Sequence, residues 1–152
     1  MKHQLHTKFA LIATLLALLP NLAVALEYRS VSVPKATLYD APSPQGKKLY
    51  LIGQGYPVEV IVNLGDWLKV RDNQGGLSWI EVKQLSAAKR TVLITQAQAE
   101  LRQSADVTST LIAKLDKDVV LELLEPSKNG WVKVKHKDGL TGYVLANATW
   151  GS

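Results

Sequence analysis

The chain contains one pattern of strand, glycine turn and strand twice, and this duplication limits its fold more than any other feature. The first copy spans residues 65–80 and the second spans residues 129–144. Trp67 aligns with Trp131, and the separation of 64 residues is constant across both copies. Each copy places a Trp-x-x-Val run before the turn and an aromatic residue after it, a pattern that predicts a β-hairpin.

The repeat continues upstream of the hairpin with an offset of 63 residues. Leu38 then aligns with Leu101, and Glu59 aligns with Glu122. The change from 63 to 64 requires one added residue in the loop before Trp131. Insertions are tolerated in loops, so the shift supports two related units in tandem.

The elements within each unit are short and extended. Val58, Val60 and Val62 alternate with other residues, and this period of two predicts a strand with one buried face. No segment after Ala25 keeps a period near 3.6. About five short strands in roughly 55–60 residues indicate a small β-barrel. We therefore predict an all-β chain of two tandem small barrels.

The N-terminal segment has the features of a secretory signal peptide. Lys2 and Lys8 precede an apolar run over residues 9–19, and residues 23–25 read Ala-Val-Ala. The alternative, a membrane anchor, needs about 20 apolar residues. We expect cleavage after Ala25, no membrane span afterwards and a secreted, periplasmic protein. The chain has no cysteine, so we expect neither a lipid anchor nor disulfides.

The repeat also sets the expected domain boundaries. The run at residues 91–95 aligns with the opening of the first unit; the alternative is a closing strand shared by both units. We assign residues 1–25 to the signal peptide, 26–85 to the first barrel, 86–90 to a linker and 91–152 to the second barrel.

The charge distribution argues against nucleic acid as a partner. Loss of Lys2 and Lys8 lowers the formal net charge from +5 to +3. Basic and acidic residues nearly balance within each unit, so no concentrated positive surface is expected.

The residue inventory argues against an enzyme. A cysteine peptidase needs a Cys nucleophile, and a zinc amidase needs several ligands. Without the signal peptide His136 is the only histidine, and it lies among lysines in a turn. We expect no catalytic residues, no metal site and no cofactor.

Taken together, the motifs resemble the bacterial SH3-like (SH3b) domain. The first unit supplies Leu38-Tyr39, Pro42-Ser43, Gly55, Asp66–Val70 and Ser78–Ile80, and the second supplies Leu101-Arg102, Asp118, Gly130–Val134 and Gly142–Val144. The resemblance implies a noncatalytic module of the cell envelope, often one that binds peptidoglycan or its peptides. The second unit departs from the pattern in its long loop, which lacks proline, and in Tyr143, where a Trp is usual.

Alternation along the hairpins predicts a binding surface. Leu68 and Val70 face the core, so Trp67 and Lys69 face outward, with Trp79 nearby on the next strand. The candidate ligand-binding residues are Tyr39, Trp67, Lys69 and Trp79 in the first unit, and Trp131, Lys133 and Tyr143 in the second. Aromatic rings and a lysine suit a sugar, a peptide or a carboxylate. The competing interpretation makes Trp67 and Trp131 structural lids over the open barrel ends.

Two functions follow from the sequence. The first is binding to peptidoglycan, through its stem peptide or glycan. The alternative is an adaptor that binds another envelope protein or peptide, for example by adding a strand.

Overall fold

A computed structural model describes residues 25–152, so the predicted signal peptide lies almost entirely outside the described residues. The described chain is all-β. The first seven strands are β1 (Tyr28–Val31), β2 (Lys35–Tyr39), β3 (Lys48–Gly53), β4 (Pro57–Asn63), β5 (Trp67–Arg71), β6 (Leu77–Glu81) and β7 (Leu85–Ser86). The next seven are β8 (Thr91–Ile94), β9 (Ala99–Arg102), β10 (Leu111–Leu115), β11 (Val120–Lys128), β12 (Trp131–Lys135), β13 (Thr141–Leu145) and β14 (Thr149–Trp150).

The two sheets have the same topology. The strand order is β3-β2-β6-β5-β4-β1-β7 in the first and β10-β9-β13-β12-β11-β8-β14 in the second. A 3₁₀ turn precedes the last strand of each sheet, at Val82–Gln84 and at Ala146–Ala148. Each sheet has seven strands, whereas the sequence pattern predicted about five. The prediction was too low because a two-residue strand such as β7 is too short to show a period.

Each sheet curls around a core of its own. Val31 on β1 and Ile52 on β3 come from opposite sides of the first sheet, yet both belong to one buried cluster. Leu68 and Val70 are buried in the same cluster, as the alternation predicted. Val132 and Val134 are fully buried in the second core. The prediction of an all-β chain with two tandem small barrels is therefore confirmed.

Strand β4 differs from the simple alternation expected for it. Its pairing with β5 shifts between Val60 and Val62, so Val62 is exposed rather than on the core face with Val58. Glu59, expected to be solvated, is buried. It lies between Tyr28 and Arg71 in the register of the neighbouring strands, and its carboxylate is 3.5 Å from the Arg71 guanidinium.

Contacts between the barrels lie next to Glu59 in the first sheet. Tyr28, beside Glu59, packs edge-on against Trp150 of the second barrel, with ring centroids 5.3 Å apart. The Arg90 guanidinium lies 5.6 Å from the centre of the Tyr28 ring and donates a hydrogen bond of 2.8 Å to the Gly151 carbonyl. The second barrel thus covers the outer face of β1. The alternation of residues within one strand does not predict this contact.

A buried polar contact also joins the barrels. The hydroxyl oxygens of Ser30 and Thr91 are 2.7 Å apart, and the Thr91 amide donates to Ser30 Oγ at 3.0 Å. The Thr91 hydroxyl donates to the Gly55 carbonyl. Gly55 has a φ of +82°, and a Cβ there would lie 2.9 Å from Val120 Cγ1, so glycine permits both the turn and the close approach.

Candidate binding site

The β5–β6 hairpin places the predicted residues of the first barrel on one surface. Lys69 is directly opposite Trp79, and Trp67 is opposite Glu81, the register expected from the sequence. Trp67, Lys69 and Trp79 are all partly exposed. Because Trp67 and Lys69 are two residues apart on a strand, they share its outer face with Trp79.

Tyr39 joins this surface from strand β2. It pairs with Trp79 in the strand register, and its ring meets the Trp67 ring edge-on at 5.3 Å between centroids. Tyr39 is buried, with 7% of its surface exposed, so it supports Trp67 more than it meets solvent. We call Tyr39, Trp67, Lys69 and Trp79 the first aromatic face. Its lysine forms no ion pair within residues 25–152.

The second barrel repeats the geometry with different electrostatics. Lys133 is opposite Tyr143, and its ammonium lies 5.9 Å from the centre of that ring. The same ammonium donates a hydrogen bond of 2.8 Å to Glu125. This carboxylate raises the pKa of Lys133. In the first barrel the position opposite Lys69 on β4 is Val62, so Lys69 has no equivalent partner there.

Arg102 occupies the place of Tyr39 in the second barrel. It pairs with Tyr143 just as Tyr39 pairs with Trp79. The Arg102 guanidinium bonds to the Glu100 carboxylate and the Ser109 carbonyl. The offset of 63 residues was enough to identify Arg102 from the sequence, but the candidate set did not include it. The set Arg102, Trp131, Lys133 and Tyr143 is called the second aromatic face.

Trp131 lines two shallow clefts in the second barrel. One, of about 310 Å³, also contains Lys133 and Tyr143. The other, of about 200 Å³, contains Val144 and Ala148, which belong to the barrel core. The position of Trp131 is therefore compatible with both interpretations, a residue that contacts a ligand and a lid over the barrel core.

A pair of tyrosines that the sequence did not single out holds the turn between β5 and β6. Tyr50 donates a hydrogen bond of 2.8 Å to Asp72, and Tyr56 donates one of 2.5 Å to Asn73. Partial burial raises the pKa of both hydroxyls. Both acceptors are committed to the turn, so we assign the pair a structural role.

His136 lies in the turn between β12 and β13. His136 Nδ1 lies 3.1 Å from Asp138 in an exposed turn. Across residues 25–152, no group of three or more histidine, cysteine or acidic side chains is arranged to hold a metal. The same residues contain no helix long and apolar enough to cross a bilayer.

Three solved structures are similar to this chain over much of its length. They are NlpC2 from Trichomonas vaginalis (15% identity, 84% of this chain and 49% of that one, TM-score 0.39), NlpC1 from the same organism (14%, 84% and 46%, 0.39) and an NlpC/P60 family protein from Bacillus cereus ATCC 10987 (18%, 81% and 55%, 0.37). The chain spans about half the length of these proteins. Among curated proteins, none matches it significantly.

The family itself is shown by a direct sequence match. The model of the bacterial SH3 domain matches the chain twice, at residues 32–87 and at residues 95–151. The two matches contain the two hairpins and all seven predicted binding residues. They cover well over half of the chain, and each falls on one of the two seven-stranded sheets. The chain therefore belongs to the bacterial SH3 domain family, of which it contains two tandem copies.

Proposed function

We propose that this protein is a noncatalytic, exported, periplasmic component of the cell envelope that binds peptidoglycan through the first aromatic face. Membership of the bacterial SH3 family supports a role at the cell wall. The N-terminal sequence supports export. The absence of cysteine from the chain, and the position of His136 in a turn beside Asp138, support a binding role.

One observation carries the choice of site. Lys69 lies opposite Trp79 and on the same side of the sheet as Trp67, and no carboxylate within residues 25–152 pairs with it. An indole can stack on a sugar ring or a peptide plane, and an ammonium can pair with a carboxylate. Peptidoglycan presents both kinds of group. In the second barrel, Glu125 already holds the corresponding lysine.

Sedimentation with purified sacculi tests this proposal. We expect the wild-type protein to sediment with sacculi and Lys69→Gln to sediment less. The matched control is Lys35→Gln, which removes an exposed lysine at the end of strand β2 opposite to Tyr39. Failure of the wild-type protein to sediment would rule out wall binding. Equal losses for Lys69→Gln and Lys35→Gln would show that general charge, rather than the first aromatic face, drives the association.

A different observation favours a second candidate, an adaptor that binds an envelope protein. Strand β3 is an edge strand, and Leu49, Tyr50 and Leu51 on it are 41%, 41% and 59% exposed. An apolar edge strand can pair with an extended segment of a partner. Replacement of Leu51 by Lys should abolish such pairing while leaving sedimentation with sacculi unchanged, so the two functions are separable.

A further inference from the structure

A cleft lies between the barrels, and none of its lining residues belongs to either aromatic face. Its volume is about 550 Å³, and residues of both barrels and of the connection between them line it. Ser32 and Gln54 come from the first barrel, Lys89 from the connection, and Lys135 and Lys137 from the β12–β13 turn region of the second.

The walls of this cleft are joined at its base. Ser30 and Thr91 both line it, and they are the two residues whose buried hydroxyls are 2.7 Å apart. The Thr91 hydroxyl also bonds to the Gly55 carbonyl, which belongs to the opposite wall. Buried hydrogen bonds of this kind resist separation, because a lost partner leaves a buried polar group unpaired. A ligand would therefore meet a preformed cleft.

The charge of the lining is predominantly positive. Lys89, Lys135 and Lys137 contribute three ammonium groups, and none of them forms an ion pair within residues 25–152. Glu122, opposite Lys135 in the strand register, is the one acidic residue of the lining. His136 also lines the cleft, with Asp138 at its Nδ1. Three free cations around one cleft attract a ligand with more than one negative charge.

We propose that the cleft between the barrels is a second binding site and that it takes an acidic peptide carrying at least two carboxylates. The lysines pair with the carboxylates, while the Ser32 hydroxyl and the Gln54 side-chain oxygen bond to the peptide backbone. The Gln54 amide nitrogen already donates a hydrogen bond of 3.3 Å to the Ser32 carbonyl, which holds the side chain in place. A lining that mixes ammonium groups with neutral donors and acceptors suits a peptide better than a bare phosphate. This site is separate from the first aromatic face and does not depend on wall binding there.

A pair of matched peptides tests the proposal. The probe is Ala-Glu-Glu-Ala with both ends blocked, and its control is Ala-Gln-Gln-Ala with the same ends. In NMR titrations of the purified protein, we expect the acidic peptide to shift the amide signals of Ser32, Gln54 and Thr91, and the amide peptide not to shift them. Inorganic phosphate at the same ionic strength is the third arm. Phosphate binding that is tighter than binding of the acidic peptide would overturn the carboxylate assignment.

Charge variants then locate the site. Each of Lys135→Gln and Lys137→Gln should weaken the acidic peptide by about twofold to fivefold, the range for an exposed ion pair. Lys114→Gln, on the far edge strand β10, should leave the affinity unchanged. Glu122→Gln removes the opposing charge and should strengthen binding. The proposal would be overturned if Glu122→Gln weakened binding of the acidic peptide. It would also be overturned if Lys114→Gln weakened binding as much as Lys135→Gln and Lys137→Gln do.

Discussion

Ser30 of the first barrel and Thr91 of the second share a buried hydrogen bond, with their hydroxyl oxygens 2.7 Å apart. The two residues belong to equivalent opening strands, β1 and β8, of two copies of one domain. The Thr91 hydroxyl donates its hydrogen bond to the Gly55 carbonyl, so in the contact between the two hydroxyls Ser30 is the donor and Thr91 the acceptor. A noncovalent contact between equivalent strands of the two copies therefore joins the domains, in addition to the connecting chain.

We expect Thr91→Val to destabilise the protein by about 1–3 kcal/mol, because the nearly isosteric valine leaves the Ser30 hydroxyl and the Gly55 carbonyl without their partner. Urea unfolding followed by tryptophan fluorescence measures the change. Thr91→Ser keeps the hydroxyl and should lose much less. A Thr91→Val protein as stable as the wild type would show that this contact contributes nothing to the joining of the barrels.

The two interpretations of Trp67 predict different behaviour. Its ring meets the buried Tyr39 edge-on, so Trp67→Ala should uncover Tyr39 and lower the unfolding free energy by about 1–3 kcal/mol, less than the roughly 3–5 kcal/mol typical of a fully buried Trp. Trp67→Phe keeps an aromatic contact and should retain most of the stability. Thermal melting and sacculus sedimentation are measured on both variants. If Trp67→Phe keeps both stability and sedimentation while Trp67→Ala loses both, Trp67 acts mainly as a lid. If Trp67→Phe is stable but no longer sediments, Trp67 contacts the ligand.

Much of the fold was predictable because the sequence contains it twice. The period of two in Trp67–Arg71 and in Trp131–Lys135 identified the core valines, and their burial follows that alternation. The cross-strand position of Lys69 and Trp79 also followed from the length of the turn. Repetition helps because each copy tests the alignment of the other. Both barrels have the same packing constraint, so the same residue types recur at equivalent positions.

Features that depend on non-repeated or long-range contacts were not predictable. The shift in β4 that exposes Val62 depends on how β4 pairs with β5, which the alternation within either strand does not reveal. Glu59 is buried beside Tyr28, and Tyr28 packs on Trp150, more than 90 positions away in sequence. The cleft between the barrels has the same origin. Local periodicity contains no information about how one barrel packs on another.

The salt bridge between Lys133 and Glu125 predicts a measurable change in proton affinity. Glu125→Gln removes the charge that raises the pKa of the Lys133 ammonium, so this pKa should fall toward its ordinary value of 10.5. A lysine whose folded pKa is raised stabilises the fold below its unfolded pKa, and this contribution is lost as the pH rises through the folded value. NMR titration of the Lys133 side chain measures the shift. Glu100→Gln, which removes a carboxylate bonded to Arg102 instead, is the control and should leave the Lys133 pKa unchanged.

Tyr50 predicts how the first barrel responds to alkaline pH. Burial, followed by the hydrogen bond to Asp72, raises the pKa of its hydroxyl above 10.0. The folded state therefore favours the neutral phenol, and the associated stability is complete below about pH 10 and lost as the pH rises through the folded pKa. In Tyr50→Phe this titration is absent, so we expect its unfolding free energy to decline less steeply between about pH 9 and about pH 12 than that of the wild type. Urea unfolding across that range measures the slope, with Tyr143→Phe as a control for a tyrosine outside this turn. Identical slopes for Tyr50→Phe and the wild type would show that the Tyr50 hydroxyl titrates alike in the folded and unfolded states.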